Sequence, residues 1–248
     1  MERTLSVVLP AFNEEKNISS VLDKHVSVLN SLGPKLMDWE ILCLNDGSTD
    51  RTEEILSVAQ KRWSKVKILK HEVNQGIFQS YARLFQSTRG THVYVTAADG
   101  QWPAHNLLKM IEPVFHNDID LVVGLRLNRK EHYGIVRRAV SFAFNWLPRI
   151  LLGVPTHDAG SIKLGRRDVF QMNLISRSPF AEAERIVRAV KAGCRIQYVP
   201  IDFYKRTSGT PRGANLSNVV RSLTDCFRVF LADRLGYLSV RNTFHAEA

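Results

Sequence analysis

Short β-branched apolar runs alternate with helix-patterned segments through the first hundred residues, and each run ends in a polar loop. Leu5-Ser6-Val7-Val8-Leu9, closed by Pro10, reads as a buried strand. Asn13-Glu14-Glu15 then opens a helix that keeps Ile18, Val21, Leu22, Val26 and Leu29 on one face. A second strand, Trp39 to Leu44, ends in Asn45-Asp46-Gly47-Ser48-Thr49-Asp50, and Ser48 or Asp50 can cap a helix over 51–63. A third strand, Val66 to Lys70, precedes Asn74-Gln75-Gly76 and a helix over 77–88. A fourth, His92 to Thr96, ends at Ala97-Ala98-Asp99. This order predicts an α/β domain, a mostly parallel sheet with helices on both faces. Ligands of such sheets bind beyond the carboxyl ends of the strands, near a switch in strand order. The loops at 10–14, 45–50, 74–76 and 97–101 are therefore expected to converge on one crevice.

The pattern continues with less regularity. Asp120 to Gly124 reads as a strand, and 135–152 as an apolar and basic helical stretch with Arg137, Arg138, Phe142, Phe144, Trp146 and Leu147. The polar run His157-Asp158-Ala159-Gly160-Ser161 leads into Ile162 to Gly165. A helix over 181–192 ends at Gly193, before a strand from Arg195 to Pro200. Residues 205–215, rich in Arg, Ser, Thr, Gly and Pro, read as a loop, and 216–233 as a last helix. With 248 residues, 44% of them hydrophobic, one sizeable core is expected. We divide the chain into a domain at 1–215 and a C-terminal amphipathic helix and tail at 216–248, the latter part of the same domain or a peripheral membrane contact.

A net charge of +10 favours anionic partners: nucleic acid, an anionic membrane surface or phosphorylated substrates. The chain carries no recognised nucleic-acid motif, so that class is not expected. Cys43, Cys194 and Cys226 are odd in number and far apart, which argues against a disulfide scaffold or zinc site and for a reducing compartment. The opening Met1-Glu2-Arg3-Thr4 does not read as an export signal, and no apolar run approaches the roughly 20 residues of a membrane span. The expectation is a cytoplasmic location, at the face of a membrane if membrane-bound.

Four motifs, each after a predicted strand, carry a resemblance: Leu9-Pro10-Ala11-Phe12-Asn13-Glu14-Glu15, Asn45-Asp46-Gly47-Ser48-Thr49-Asp50, Asn74-Gln75-Gly76 and Ala97-Ala98-Asp99-Gly100-Gln101-Trp102-Pro103. With Val123-Gly124-Leu125-Arg126, Arg137-Arg138, Asp158, Val199-Pro200-Ile201, Arg206 and Gly209, they resemble glycosyltransferase family 2, and within it the dolichol-phosphate mannose synthase-like enzymes. The likeness spans about 5–210. It implies a GT-A type, Rossmann-like fold and inverting transfer of a sugar from a nucleotide sugar to a polyprenyl phosphate. It also implies a donor site of Pro10, Phe12, Glu14, Asp46, Ser48, Gly76, Ala98 and Asp99, with Glu14 near the ribose and Asp46 on the base.

Cleaving a sugar from a nucleoside diphosphate leaves concentrated negative charge, and a hard cation such as Mg²⁺ or Mn²⁺ suits carboxylate and phosphate oxygens. The family's Asp-x-Asp element reads Ala97-Ala98-Asp99 here, so one carboxylate is missing and Asp99 and Gln101 remain as metal ligands. Arg126, Arg137, Arg138 and Arg206 resemble family positions that meet the donor diphosphate or the acceptor phosphate, and Arg recognises phosphate through a fixed fork of donors. Asp99, Arg126 and Arg206 are the expected catalytic groups; Asp158 and Glu184 match acidic positions on the acceptor side. Glu182, three residues before Arg185, reads as an exposed ion-pair partner. The last helix, with Leu216, Val219, Val220, Leu223, Phe227, Phe230 and Leu231 among arginines, either lies in a membrane interface or packs on the sheet. Two other activities stay open: a family 2 enzyme acting on a sugar or other hydroxyl, and a catalytically silent nucleotide-sugar-binding protein, suggested by Ala97.

Overall fold

The computed structural model describes residues 3–127, 146–205 and 216–238. Seven strands form one sheet: β1 (Thr4–Ala11), β2 (Asp38–Asp46), β3 (Val66–His71), β4 (His92–Val95), β5 (Leu121–Arg126), β6 (Lys163–Arg166) and β7 (Ile196–Ile201), in the order β3-β2-β1-β4-β6-β5-β7. All neighbours are parallel except β6, which runs antiparallel between β4 and β5. The helices are α1 (Ile18–Ser31), α2 (Thr52–Arg62), α3 (Ile77–Gln86), α4 (Asn106–His116), α5 (146–152), α6 (Arg167–Phe170), α7 (Ala181–Lys191) and α8 (Leu216–Arg234). The first four strands lie within one or two residues of their expected bounds. Helix α4 was not anticipated.

Strand periodicity sorts the core. Along β1, Leu5, Val7 and Leu9 face a cluster with Ile18 and Leu22 of α1, Leu56 of α2 and Leu107 of α4. Val8 points the other way, into a cluster with Leu84 of α3 and Ile186 of α7. All four β1 side chains are fully buried, each worth about 1.5–3 kcal/mol relative to exposure. The buried Ser6 and Glu40 satisfy each other at 2.7 Å, and Glu40 takes further bonds from Lys67 Nζ (2.6 Å) and the Arg89 amide (2.9 Å). That network sits toward the amino ends of β1 and β2 and leaves their carboxyl ends to the loops.

His25 is the buried titratable group of α1. Its Nδ1 donates to the Val21 carbonyl at 2.8 Å, and burial, partly offset by that bond, pushes its pKa from 6.5 down to about 4. The folded chain therefore resists a proton that the unfolded chain accepts. Stability should fall as pH drops from 6.5 toward 4, by about 3 kcal/mol in all, because each tenfold loss of proton affinity on folding is worth about 1.4 kcal/mol. Urea unfolding at pH 7 and pH 4.5 checks this. His25→Leu should show a shallower pH slope than the parent chain, and an unchanged slope would contradict the assignment.

Candidate functional site

The loops that follow β1 and β2 are laced together. The Asn13 amide donates to Ser48 Oγ (3.0 Å), the Thr49 amide to Asn13 Oδ1 (2.8 Å) and the Glu14 amide to Thr52 Oγ1 (2.8 Å). The Glu15 amide donates to Asp50 Oδ2 (3.1 Å), and the Arg51 amide returns a bond to Glu15 Oε2 (3.1 Å). Asp50 also accepts from the Thr52 amide just ahead of α2, but the residue at the N-cap is Arg51, with no side-chain cap bond, so neither Ser48 nor Asp50 is the cap that was expected. Ser48 is spent on holding the loops and does not line the cleft. Gly47 has φ +66°, and a Cβ there would lie 2.5 Å from the Asn74 amide nitrogen, so the β2 loop also presses on the 73–76 loop.

Asp46 ends β2 in register with His71 at the end of β3. Its Oδ1 accepts from His71 Nδ1 at 2.7 Å and from the Gln75 amide at 2.9 Å; Oδ2 accepts from the Gly76 amide at 2.9 Å. Both side chains of the His–Asp pair are 5% exposed. Gly76, at φ +88°, supplies the turn that brings two amides onto one carboxylate. His71 was not anticipated: strand register decides that it meets Asp46, and no motif marks it.

Beyond β4, Asp99 is buried to 5% exposure, and its Oδ1 accepts the Gln101 amide at 3.1 Å. Gln101 Nε2 and carbonyl clasp Tyr204 O and N, both at 3.0 Å, fastening this loop to the exit of β7. Asp99 lines the cleft with one carboxylate and Ala97 with a methyl, while Gln101, two residues on, does not line it. Among the described residues, no three His, Cys, Asp or Glu side chains converge as a metal cage. This donor set fits a Mg²⁺- or Mn²⁺-like ion that arrives with a diphosphate and keeps several waters, because such ions need only one or two protein carboxylates.

These loops wall one cleft of about 960 Å³ beyond the carboxyl ends of β1, β2 and β4, at the β1/β4 switch in strand order. Pro10, Phe12, Glu14, Asp46, Gly76, Ala98 and Asp99 all line it. Arg177, Arg221, Thr224 and Arg228, which the sequence did not announce as site residues, line it as well. Arg221, Thr224 and Arg228 recur at helical spacing on the exposed side of α8 that borders the cleft.

Besides Ser48, four expected site residues do not line the cleft: Gln101, which is held by Tyr204, and Arg126, Asp158 and Glu184. Arg126 and Asp158, which are not among the residues lining the cleft, form a bidentate pair: Arg126 Nε reaches Oδ2 at 2.9 Å, its amide reaches the same oxygen at 3.0 Å, and its Nη2 binds Oδ1. The guanidinium stacks over Trp102 and Phe203, 5.3 and 5.1 Å from their ring centroids. Glu184 is fully buried; it accepts the Ile175 and Ser176 amides and pairs with Arg188 at 2.7 Å. It therefore anchors the 175–176 turn rather than facing the cleft. The exposed ion pair expected of Glu182 and Arg185 is instead an interior cluster: Glu182 meets Lys163 at 2.8 Å and Arg185 at 3.6 Å, with side-chain exposures of 12%, 1% and 4%. Residue spacing along α7 was compatible with either face; tertiary packing put it inward. Arg137, Arg138 and Arg206 lie outside the described residues.

Comparisons with known proteins bear on this geometry. Residues 6–173 match the family model described as glycosyl transferase family 2. The chain is 26% identical over 255 residues to the dolichyl-phosphate beta-glucosyltransferase ALG5A of Trichomonas vaginalis, covering 97% of this chain and 77% of that one. It is 27% identical over 235 residues to the dodecaprenyl-phosphate galacturonate synthase of Rhizobium johnstonii, covering 91% of this chain and 66% of the relative's length. Among solved structures, glucosyl-3-phosphoglycerate synthase from Mycobacterium tuberculosis, in complex with Mn²⁺, uridine-diphosphate-glucose and phosphoglyceric acid, superposes with a TM-score of 0.69 at 20% identity, over 94% of this chain and 80% of that one. The shared architecture is the GT-A fold.

Proposed function

On the premise that this chain belongs to glycosyltransferase family 2, we propose that it transfers a sugar, with inversion, from a nucleotide sugar to a polyprenyl phosphate at a membrane surface. The observation that carries the donor half is the convergence of Glu14, Asp46 and Asp99, from three loops far apart in the chain, on one cleft. The relatives named above act, by name, on dolichyl and dodecaprenyl phosphates, which supports the acceptor half.

In this reading Phe12 and Asp46 receive the base and Glu14 accepts bonds from the ribose hydroxyls. Asp99 would hold a divalent cation, whose part is to neutralise the leaving diphosphate. The acceptor's phosphate oxygen, already anionic at neutral pH, forms a bond to the anomeric carbon as the bond from that carbon to the diphosphate breaks. Such an acceptor requires no general base, which accords with an Asp158 whose two oxygens are both bound by Arg126. Arg177, Arg221 and Arg228 give the cleft mouth a positive rim suited to the acceptor's phosphate. Arg137, Arg138 and Arg206 keep their proposed roles on the phosphates.

Helix α8 supports the membrane part. It buries Ser222, Asp225, Cys226 and Val229 and exposes Val220, Leu223, Phe227 and Leu231, with Arg221, Arg228 and Arg234 beside them. Cys226 and Val229 pack into the core and Phe230 against it, while the exposure of Leu223, Phe227 and Leu231 supports an interfacial placement. Among the described residues no helix is long and apolar enough to cross a membrane, so contact through α8 is interfacial. Leu223→Asp with Phe227→Asp should weaken flotation with anionic vesicles by at least about tenfold, since each side chain contributes an apolar burial of order 1.5–3 kcal/mol. Undiminished flotation would remove α8 from the contact.

The function itself is tested by product formation from a panel of nucleotide sugars with a short polyprenyl phosphate or with soluble hydroxyl acceptors. Turnover confined to the lipid phosphate is expected. Turnover confined to soluble acceptors would replace the acceptor assignment, and nucleotide-sugar binding with no turnover on either would mark a silent binder.

A further inference from the structure

We infer that His71 is a positioning residue for base recognition: it locks the Asp46 carboxylate so that an acceptor-only edge faces the cleft and selects a base with a ring N–H, of the uracil or guanine type, against cytosine. The inference rests on the nucleotide-sugar reading of the cleft and deepens it.

Position comes first. Asp99 follows β4 and Asp46 ends β2, with β1 between them. Neighbouring strands lie 4.7–4.9 Å apart, so the ends of β2 and β4 are separated by about 10 Å across the sheet, with Asp99 in the loop just beyond β4. That is about the reach from a diphosphate, across one ribose, to its base. With the diphosphate at Asp99, Asp46 stands at the base.

Hydrogen-bond accounting comes next. An ionised carboxylate is acceptor-only, with about four lone-pair positions. Three are taken: Oδ1 by His71 Nδ1 and the Gln75 amide, Oδ2 by the Gly76 amide. The position left is on Oδ2, and Asp46 lines the cleft. A ring N–H, N3–H of uracil or N1–H of guanine, can satisfy it. Cytosine offers a lone pair at N3 and meets it with repulsion.

His71 decides which way that edge points. A carboxylate's terminal torsion is broad and roughly two-fold, so little in the side chain itself fixes its plane. The two amides come from one loop, residues 75–76. His71 reaches in from β3, a different element, at 2.7 Å, and its Nδ1 must carry the proton because the carboxylate only accepts. The pair is 5% exposed on each side, so water does not readily substitute for the imidazole. Gly47, whose absent Cβ lets the Asn74 backbone approach, keeps the same two loops in contact.

Calorimetric titration of the full chain with UDP, GDP and CDP tests this. The parent chain should bind UDP or GDP at least about tenfold more tightly than CDP, as expected for one charged hydrogen bond made or missed. His71→Leu should bring that preference to about threefold or less while CDP affinity changes little, and His71→Asn, whose amide can still donate, should restore much of it. A purely structural role would weaken all three nucleotides alike and leave the ratio intact, which would overturn the inference. So would a His71→Leu chain of undiminished selectivity. A parent chain that binds all three equally refutes the role of His71 and leaves the donor cleft standing. One that binds none refutes both.

Discussion

Asp99→Ala should lower kcat by roughly 10²–10³-fold, the usual cost of removing a group that stabilises transition-state charge. Asp99 lines the cleft, and Ala97 leaves no second carboxylate in the Asp-x-Asp element to share the task. The loss should fall on kcat more than on the affinity for free nucleotide, because base and ribose contacts are made by other loops. The variant should also lose any stimulation by Mn²⁺. Full steady-state kinetics with and without Mn²⁺ provide the check; kcat within about threefold of the parent would remove Asp99 from the chemistry. The companion variant Ala97→Asp should bind Mn²⁺ more tightly in the presence of UDP, because ligand charge count tunes affinity at oxygen sites.

The second large effect is on stability. Lys163→Met should cost about 3–5 kcal/mol, because among the described residues it leaves the interior Glu182 with Arg185 alone, at 3.6 Å, to answer its charge. Each kcal/mol moves the melting temperature by about 2–4 °C in a domain of this size, so a drop on the order of 10 °C is expected. Lys163 Nζ also donates to the carbonyls of Ala159 (2.5 Å) and Ser161 (3.0 Å), in the loop that carries Asp158. Losing it should loosen the Asp158–Arg126 pair as well. Lys163→Met combined with Glu182→Leu should recover much of the loss, since a buried ion pair exchanged for apolar side chains is often neutral. Thermal melts of both variants separate the possibilities: an unchanged single variant, or a double variant worse than the sum of its parts, would contradict a coupled buried pair.

The two predictions draw on different kinds of information. Asp99 was legible in the linear chain, because a polar motif after a β-branched apolar run marks the carboxyl end of a strand. The Lys163 cluster was not. Glu182 and Arg185 have the spacing of a solvated helical pair, and only the packing of α7 against the sheet turns that face inward. The same limit applies to Glu184, whose acidic position suggested an acceptor contact and whose two oxygens hold a turn. Ser48 is a milder case: it belongs to the right loop and stitches it to Asn13.

The order of strands and helices, the polar loop behind each strand and the gathering of those loops at one rim followed from the chain alone. Their signals are local: period-two and period-3.6 apolar patterns and turn residues between them. Tertiary structure alone decided the antiparallel insertion of β6 between β4 and β5, the meeting of His71 with Asp46, and which face of α8 looks outward. Each of these depends on which distant segments become neighbours, and a side chain's burial and charge environment are set by those neighbours rather than by the residues beside it in the chain.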